Sequence, residues 1–239
     1  MGAAIAAQLL GEASHTVVCI SRHENASLAA VAKQSGATCE QWTADLAAPI
    51  AVAARLQARL AGFEASAFAR ASLINNAAML TTIGGLEGCS DEELSAAMRV
   101  GLEAPLLLTA AFLRATSAWP GERRVLNISS GLGRRAMAGQ ATYCATKAGM
   151  DHMARAVALD QALLGNGAKV VSLAPGVIDT DMQVQLRGAD AAGFPEQAAF
   201  VRLKESGQLT SSVEAAGRVV AYLERADFGS VPVADVRDA

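Results

Sequence analysis

Short apolar runs and longer stretches of helical spacing alternate from one end of the chain to the other. The β-branched run His15–Ile20 (HTVVCI) predicts a strand, as do Ala71–Asn75 (ASLIN), Arg123–Ile128 (RRVLNI) and Ala168–Leu173 (AKVVSL). Ala37–Thr43 is a weaker strand, and Val231–Val236 a last short one. Helices are predicted between them. Gly2–Leu10 is Ala-rich and stopped by Gly11, Glu24–Gln34 ends at Gly36, and Pro49 opens a helix to about Leu60. A long helical stretch starts at Asp91 and runs to Ala118, with a break near Gly101 and Pro105. Ala141–Leu164, Pro195–Ser206 and Ser212–Glu224 complete the set. Apolar strands alternating with helices predict an α/β fold, a doubly wound parallel sheet covered on both faces. One domain spanning residues 1–239 is expected, since no linker, repeat or low-complexity tract interrupts the pattern.

Composition narrows the chemistry. Apolar residues make up 52% and charged residues 18%, which excludes a disordered chain. A net charge of -3 leaves no basic surplus for phosphates, so nucleic acid is not an expected partner. Cys19, Cys39, Cys89 and Cys144 lie far apart, and none stands at ligand spacing from His15, His23 or His152. No metal site is expected, and reduced thiols of a cytoplasmic protein are. The apolar start Met1–Leu10 lacks a positive flank and meets Glu12, so no signal peptide is expected. Nor is a membrane span, because no unbroken run of about 18 apolar residues is seen.

Ligands of open α/β sheets bind beyond the carboxyl ends of the strands. There the chain carries Asn75-Asn76-Ala77-Ala78, Ser129-Ser130-Gly131 and Ala174-Pro175-Gly176, small and polar residues that let a ligand approach the backbone. Turn residues at strand ends are the plainer reading of any one of these. The sharpest pattern is Tyr143-x-x-x-Lys147 with Ser130 upstream. Residues four apart share one helical face, so Tyr143 and Lys147 converge on one point. A nearby ammonium stabilises phenolate and lowers a phenol's pKa, which suits Tyr143 to act as a general acid. A serine hydroxyl can donate to the same substrate oxygen. The alternative is an ion–dipole pair on a helix surface.

These motifs, together with Asn127-Ile128-Ser129-Ser130, Tyr143-Cys144-Ala145-Thr146-Lys147 and Pro175-Gly176-Val177-Ile178-Asp179-Thr180, resemble the short-chain dehydrogenase/reductase family in order and spacing. The likeness covers essentially the whole chain. Within the family, the stretch Asp179-Thr180-Asp181-Met182-Gln183, followed by Phe194, Leu203, Lys204 and Gly207, is similar to sepiapterin reductases and bacterial benzil reductases. The resemblance implies a Rossmann-like fold and a small-molecule carbonyl substrate, reduced by hydride transfer from a nicotinamide cofactor. Tyr143 would be the catalytic acid/base, Lys147 would lower its pKa and hold the nicotinamide ribose, and Ser130 would bind the substrate oxygen. Asn76, Ala77 and Ala78 would line the ribose and adenosine path, Asp45 and Leu46 would flank the adenine, and Gly2 would approach the pyrophosphate. Pro175, Gly176, Ile178 and Thr180 would hold the nicotinamide. Asp179 and Asp181 are both candidates for the substrate anchor, and either could instead cap the following helix. A homodimer or homotetramer is implied as well.

Cofactor choice follows from what succeeds His15–Ile20. An acid there binds the ribose 2′-OH of NAD, whereas an arginine accommodates the 2′-phosphate of NADP. The chain reads Ser21-Arg22-His23 with no acid before Glu24, which points to NADP.

Two departures from the family pattern stand out. Arg99-Val100-Gly101-Leu102 has glycine where the family has an asparagine that supports a water chain to the lysine, so Gly101→Asn is expected to be tolerated. The family also opens with a strand and a Thr-Gly-x-x-x-Gly-x-Gly loop, of which Met1-Gly2-Ala3-Ala4-Ile5-Ala6 matches only the last glycine and the helix. The first strand is therefore expected to be absent, with His15–Ile20 and Ala71–Asn75 either paired directly or facing across an empty lane. The natural protein is expected to carry about 10–15 further residues before Met1. These departures give weight to a second reading, a catalytically impaired, cofactor-free binding or scaffold protein that keeps the fold.

Overall fold

The computed structural model describes residues 1–238. Its strands are β1 (Thr16–Ser21), β2 (Thr38–Thr43), β3 (Arg70–Asn75), β4 (Glu122–Ile128), β5 (Lys169–Ala174) and β6 (Val233–Asp235). All pair in parallel, but in two separate sheets, β1-β2 and β3-β4-β5-β6. The helices are α1 (Gly2–Leu9), α2 (Ala26–Ser35), α3 (Pro49–Ala61), α4 (Asp91–Met98), α5 (Ala104–Ala115), α6 (Ala141–Ala162), α7 (Asp181–Arg187), α8 (Gln197–Glu205) and α9 (Ser212–Glu224).

Side-chain alternation along β4 and β5 serves both faces of the sheet. Leu126, Ile128, Val171 and Leu173 pack with Ile5 of α1 and Val219 and Leu223 of α9. Val125 and Val170 point the other way, to Phe112 of α5 and Ala154 of α6. This is the doubly wound arrangement expected of apolar strands separated by helices. The predicted break in the Asp91–Ala118 stretch is real: Arg99–Glu103 forms a π-helical turn joining α4 to α5. Helix α7 is foreseen only as the helix that Asp179 or Asp181 could cap, without bounds, because seven residues hold too few apolar positions to show a period.

No unbroken run of about 18 apolar residues is present, but by length and composition alone Asp91–Ala115 is the one helical stretch among the described residues long and apolar enough to cross a membrane. Its apolarity has a packing cause: Leu108 and Ala111 are buried against Val52, Ala53 and Leu56 of α3.

No backbone pairing joins β1 to β3. Residues of both strands line a single cleft of about 1680 Å³. The missing pairing is thus an open lane rather than direct contact. The two sheets are tied by side chains on either side of it. On one face α1 spans the lane, with Ile5 in the core of the larger sheet and Ala6 and Leu10 packed with Leu28 and Ala32 of α2. On the other face Val18, Ile20 and Leu73 converge on the cluster of Trp42, Leu56 and Leu108.

Candidate active site

The ends of β3, β4 and β5 and the start of α6 meet at the mouth of this cleft. At the ends of β3 and β4, Asn75 Nδ2 donates to Asn127 Oδ1 (2.8 Å) and to Thr109 Oγ1 (3.2 Å), a buried amide bridge that locks the two strand ends together. Ser130 follows in extended backbone and opens a single 3-10 turn, Gly131–Gly133. Its Oγ accepts from the Leu132 N–H (3.1 Å), which leaves the hydroxyl proton free to donate. The chain then reverses at Gly139, whose φ of +70° favours glycine, and enters α6.

One turn into α6 stands Tyr143, and one turn further Lys147, as the i, i+4 spacing requires. Ser130, Tyr143 and Lys147 all line the cleft. Lys147 is 1% exposed, and its Nζ donates to the Ile128 carbonyl at the end of β4 (2.7 Å). Burial pushes its pKa down to about 8, while the charge of Asp151 works in the opposite direction.

Here one expectation is corrected. Tyr143 was expected to titrate below an ordinary phenol; its pKa is instead raised, because burial outweighs the lowering by its hydrogen bond with Ser130. The geometry gives the reason. Lys147 Nζ is turned to the Ile128 carbonyl and lies 5.6 Å from the centre of the Tyr143 ring. The phenol therefore stays protonated across the neutral range, the form a general acid needs.

The residues expected to hold the cofactor mostly converge. Gly2, Ser21, Arg22, Asp45, Leu46, Asn76, Ala77, Ala78, Pro175, Gly176, Ile178 and Thr180 all line the same cleft. Arg22 is exposed and pairs with no carboxylate among the described residues, so its guanidinium is free to meet a phosphate. Gly2 begins α1 with Asn76 pressed against it: a Cβ there would lie 2.6 Å from Asn76 Nδ2. Gly176, at φ +83°, turns the chain away from β5 and needs its missing side chain for that reason alone. Asp45 turns its carboxylate back on its own loop, accepting from the Ala47 N–H (2.9 Å). These residues fit a dinucleotide at its ribose and nicotinamide ends, while of the pyrophosphate loop only Gly2 is in the sequence. Among the described residues no cluster of metal ligands occurs.

The two substrate-anchor candidates separate. Asp181 lines the cleft at the first position of α7, where Thr180 is the N-cap. Asp179 does not line it: Lys204 Nζ donates to its Oδ2 (2.5 Å) and Arg187 lies 3.8 Å from Oδ1. The hydrogen bond from Lys204 holds the Asp179 carboxyl below its usual range.

Gly101→Asn also meets a correction. Gly101 sits in the π-helical turn against α6, and a Cβ there would come within 2.9 Å of the Cβ and Cγ2 of Thr146, the neighbour of Lys147. Thr146 is buried and β-branched, so it cannot swing aside. Sequence reasoning also missed the buried carboxylate of Asp151, which accepts hydrogen bonds from Ser129 Oγ (2.5 Å) and Ser172 Oγ (2.6 Å). Its i+4 relation to Lys147 was the available signal.

Comparison with known proteins agrees with this geometry. A family model described as short chain dehydrogenase matches residues 1–191. Benzil reductase ((S)-benzoin forming) of Bacillus cereus is 34% identical over 228 residues, covering 95% of this chain and 91% of its own. Sepiapterin reductase of Rattus norvegicus is 31% identical over 173 residues, 71% of this chain and 64% of its own. The crystal structure of a short-chain dehydrogenase/reductase from Burkholderia vietnamiensis is similar at a TM-score of 0.64 and 35% identity, covering 100% of this chain and 92% of that one.

Proposed function

The chain belongs to the short-chain dehydrogenase/reductase family of oxidoreductases, and from that premise we propose that it is an NADPH-dependent reductase of a ketone or conjugated dicarbonyl. The observation that carries this is the convergence of Ser130, Tyr143 and Lys147 at one mouth of the cleft that Arg22 also lines. When bound, the reduced nicotinamide supplies the hydride. The Ser130 hydroxyl donates to the substrate oxygen and holds the carbonyl beside Tyr143. As the carbonyl carbon takes the hydride, the oxygen takes the Tyr143 phenolic proton, giving the alcohol and leaving a phenolate. The Lys147 ammonium favours that phenolate and binds the cofactor ribose. Arg22 meets the 2′-phosphate and selects NADPH over NADH.

The lining supports an apolar, planar substrate: Met137, Met182, Leu186 and Phe200 line the same cleft, as does Asp181. A 1,2-diketone between aromatic groups, the substrate class that the Bacillus cereus relative's name describes, suits that lining. The test is consumption of NADPH with benzil, followed by its loss of near-ultraviolet absorbance, for the parent and for Tyr143→Phe. The reading requires turnover in the parent and its loss in the variant. Failure to bind NADPH, together with no turnover of any ketone offered, would favour the scaffold reading instead.

A further inference from the structure

The carboxylate of Asp151 lies one turn beyond Lys147 on α6 and is 1% exposed. It is held from four directions. Ser129 at the end of β4 and Ser172 in β5 both donate to Oδ1. Arg134 Nε stands 3.4 Å from Oδ2, close but not in line for a hydrogen bond, so Oδ2 is buried without a hydrogen-bond partner. Gly133 closes the turn over the same oxygen, since any Cβ there would lie 2.7 Å from it. A carboxylate is a costly way to satisfy two serine hydroxyls, because a neutral amide oxygen would accept both. Arg134 offsets part of that charge from the side of Oδ2, and Lys147, four residues back on the same helix, is a second cation near it, whose ammonium bonds only the Ile128 carbonyl among the described residues.

We propose that Asp151 is a positioning residue for the proton-handling pair, the buried counter-charge that keeps Lys147 an ammonium inside the core, with Arg134 moderating its strength. This rests on the reading of Tyr143 and Lys147 given above. The charged and titratable groups around the pair are few. Helix α6 contributes Tyr143, Cys144, Lys147 and Asp151. The turn after β4 contributes Arg134, which also reaches Asp235 of β6 (3.8 Å), itself paired with Arg237 (2.6 Å). From β4 and β5 come only hydroxyls, and the π-helical turn brings Gly101 and Leu102. Asp151 is therefore the anion on the lysine's own helix face, and Arg134 links its charge to the C-terminal strand.

Opposite shifts in two variants test this. The chain has four lysines, so labelled lysine side chains give few resonances, and Lys147→Arg assigns the one needed. In the parent, Lys147 titrates at about 8. Asp151→Asn keeps an oxygen for the two serines but removes the charge, and should lower that midpoint by about one unit. Arg134→Gln removes the moderating cation and should raise it. The alkaline limb of carbonyl reduction should move in the same two directions. A role in packing alone would leave the midpoint in place or move it the same way in both variants, and either result overturns the inference. Should Asp151→Asn fail to fold, the rise in Arg134→Gln decides alone. A parent without reductase activity whose lysine midpoint moves as described removes the functional reading and upholds this one. An active parent whose midpoint is indifferent to both substitutions removes this one only.

Discussion

The strands on the two sides of the open lane are held by different forces. From β3 to β6 the backbone forms an unbroken parallel ladder, and β4 and β5 are buried on both faces. On the other side β1 pairs with β2 alone and is only partly buried. That pair reaches the rest of the molecule through the side chains of α1 on one face and of α3 and α5 on the other. Fully burying an apolar side chain such as Ile5 or Leu10 stabilises by about 1.5–3 kcal/mol, so a few of them can hold a sheet in place without backbone pairing. An empty lane sealed from water would cost more than a fold has in reserve. This lane is part of a cleft of about 1680 Å³ and its strands are partly exposed, so water reaches the groups that face it.

The division has a functional counterpart. Ser130, Tyr143, Lys147 and Asp151 all stand on the laddered side, within a few residues of buried backbone. Arg22, Asp45 and Leu46 stand on the other side, in loops after β1 and β2. Changes on the first side should therefore act on turnover, and changes on the second on the choice and grip of the cofactor. Tyr143→Phe should lower carbonyl reduction by about 10²–10⁴-fold, the usual worth of a positioned general acid, while NADPH titrates as in the parent. Retention of activity within a few-fold would remove Tyr143 from the chemistry. Arg22→Asp should move the NADPH-to-NADH preference by about 10–100-fold through loss of a charge-assisted hydrogen bond, with the rate at saturating cofactor little changed. A variant whose two affinities match the parent's would make Arg22 a bystander.

Much of this was legible in the sequence, and the losses are instructive. Short apolar runs marked every strand of the larger sheet, and the i, i+4 pair placed Tyr143 and Lys147 on one face. The glycine at position 101 was legible as a break in a helix, but not its reason. Only packing shows that the turn there presses against Thr146. Asp179 and Asp181, two residues apart, could not be told apart by spacing, because what divides them is a salt bridge to Lys204 from α8. The titration of Tyr143 was misjudged because spacing says that an ammonium is near, not where it points. Gly101→Asn is now expected to cost about 1–3 kcal/mol through overpacking, visible as a lowered Tm. An unchanged Tm would mean that α6 yields at Thr146 more readily than its burial implies.

Backbone hydrogen exchange tests the difference between the two sides most directly. Alternate residues of a parallel strand turn their N–H groups to opposite neighbours. The bond from Glu122 N to Ala69 O (2.9 Å) sets the odd-numbered residues of β3 towards β4, leaving the amides of Arg70, Ser72 and Ile74 facing the lane. The bonds from Thr38 N to His15 O and from Ala44 N to Ser21 O (both 2.9 Å) likewise leave Thr16, Val18 and Ile20 facing it from β1. These six amides should exchange about 100-fold faster than Ala71, Leu73 and Asn75 on the same strand β3, whose amides bond to β4. For residues 1–239 alone, equal protection of both sets along β3 would mean that the lane is closed in solution, and would contradict the account.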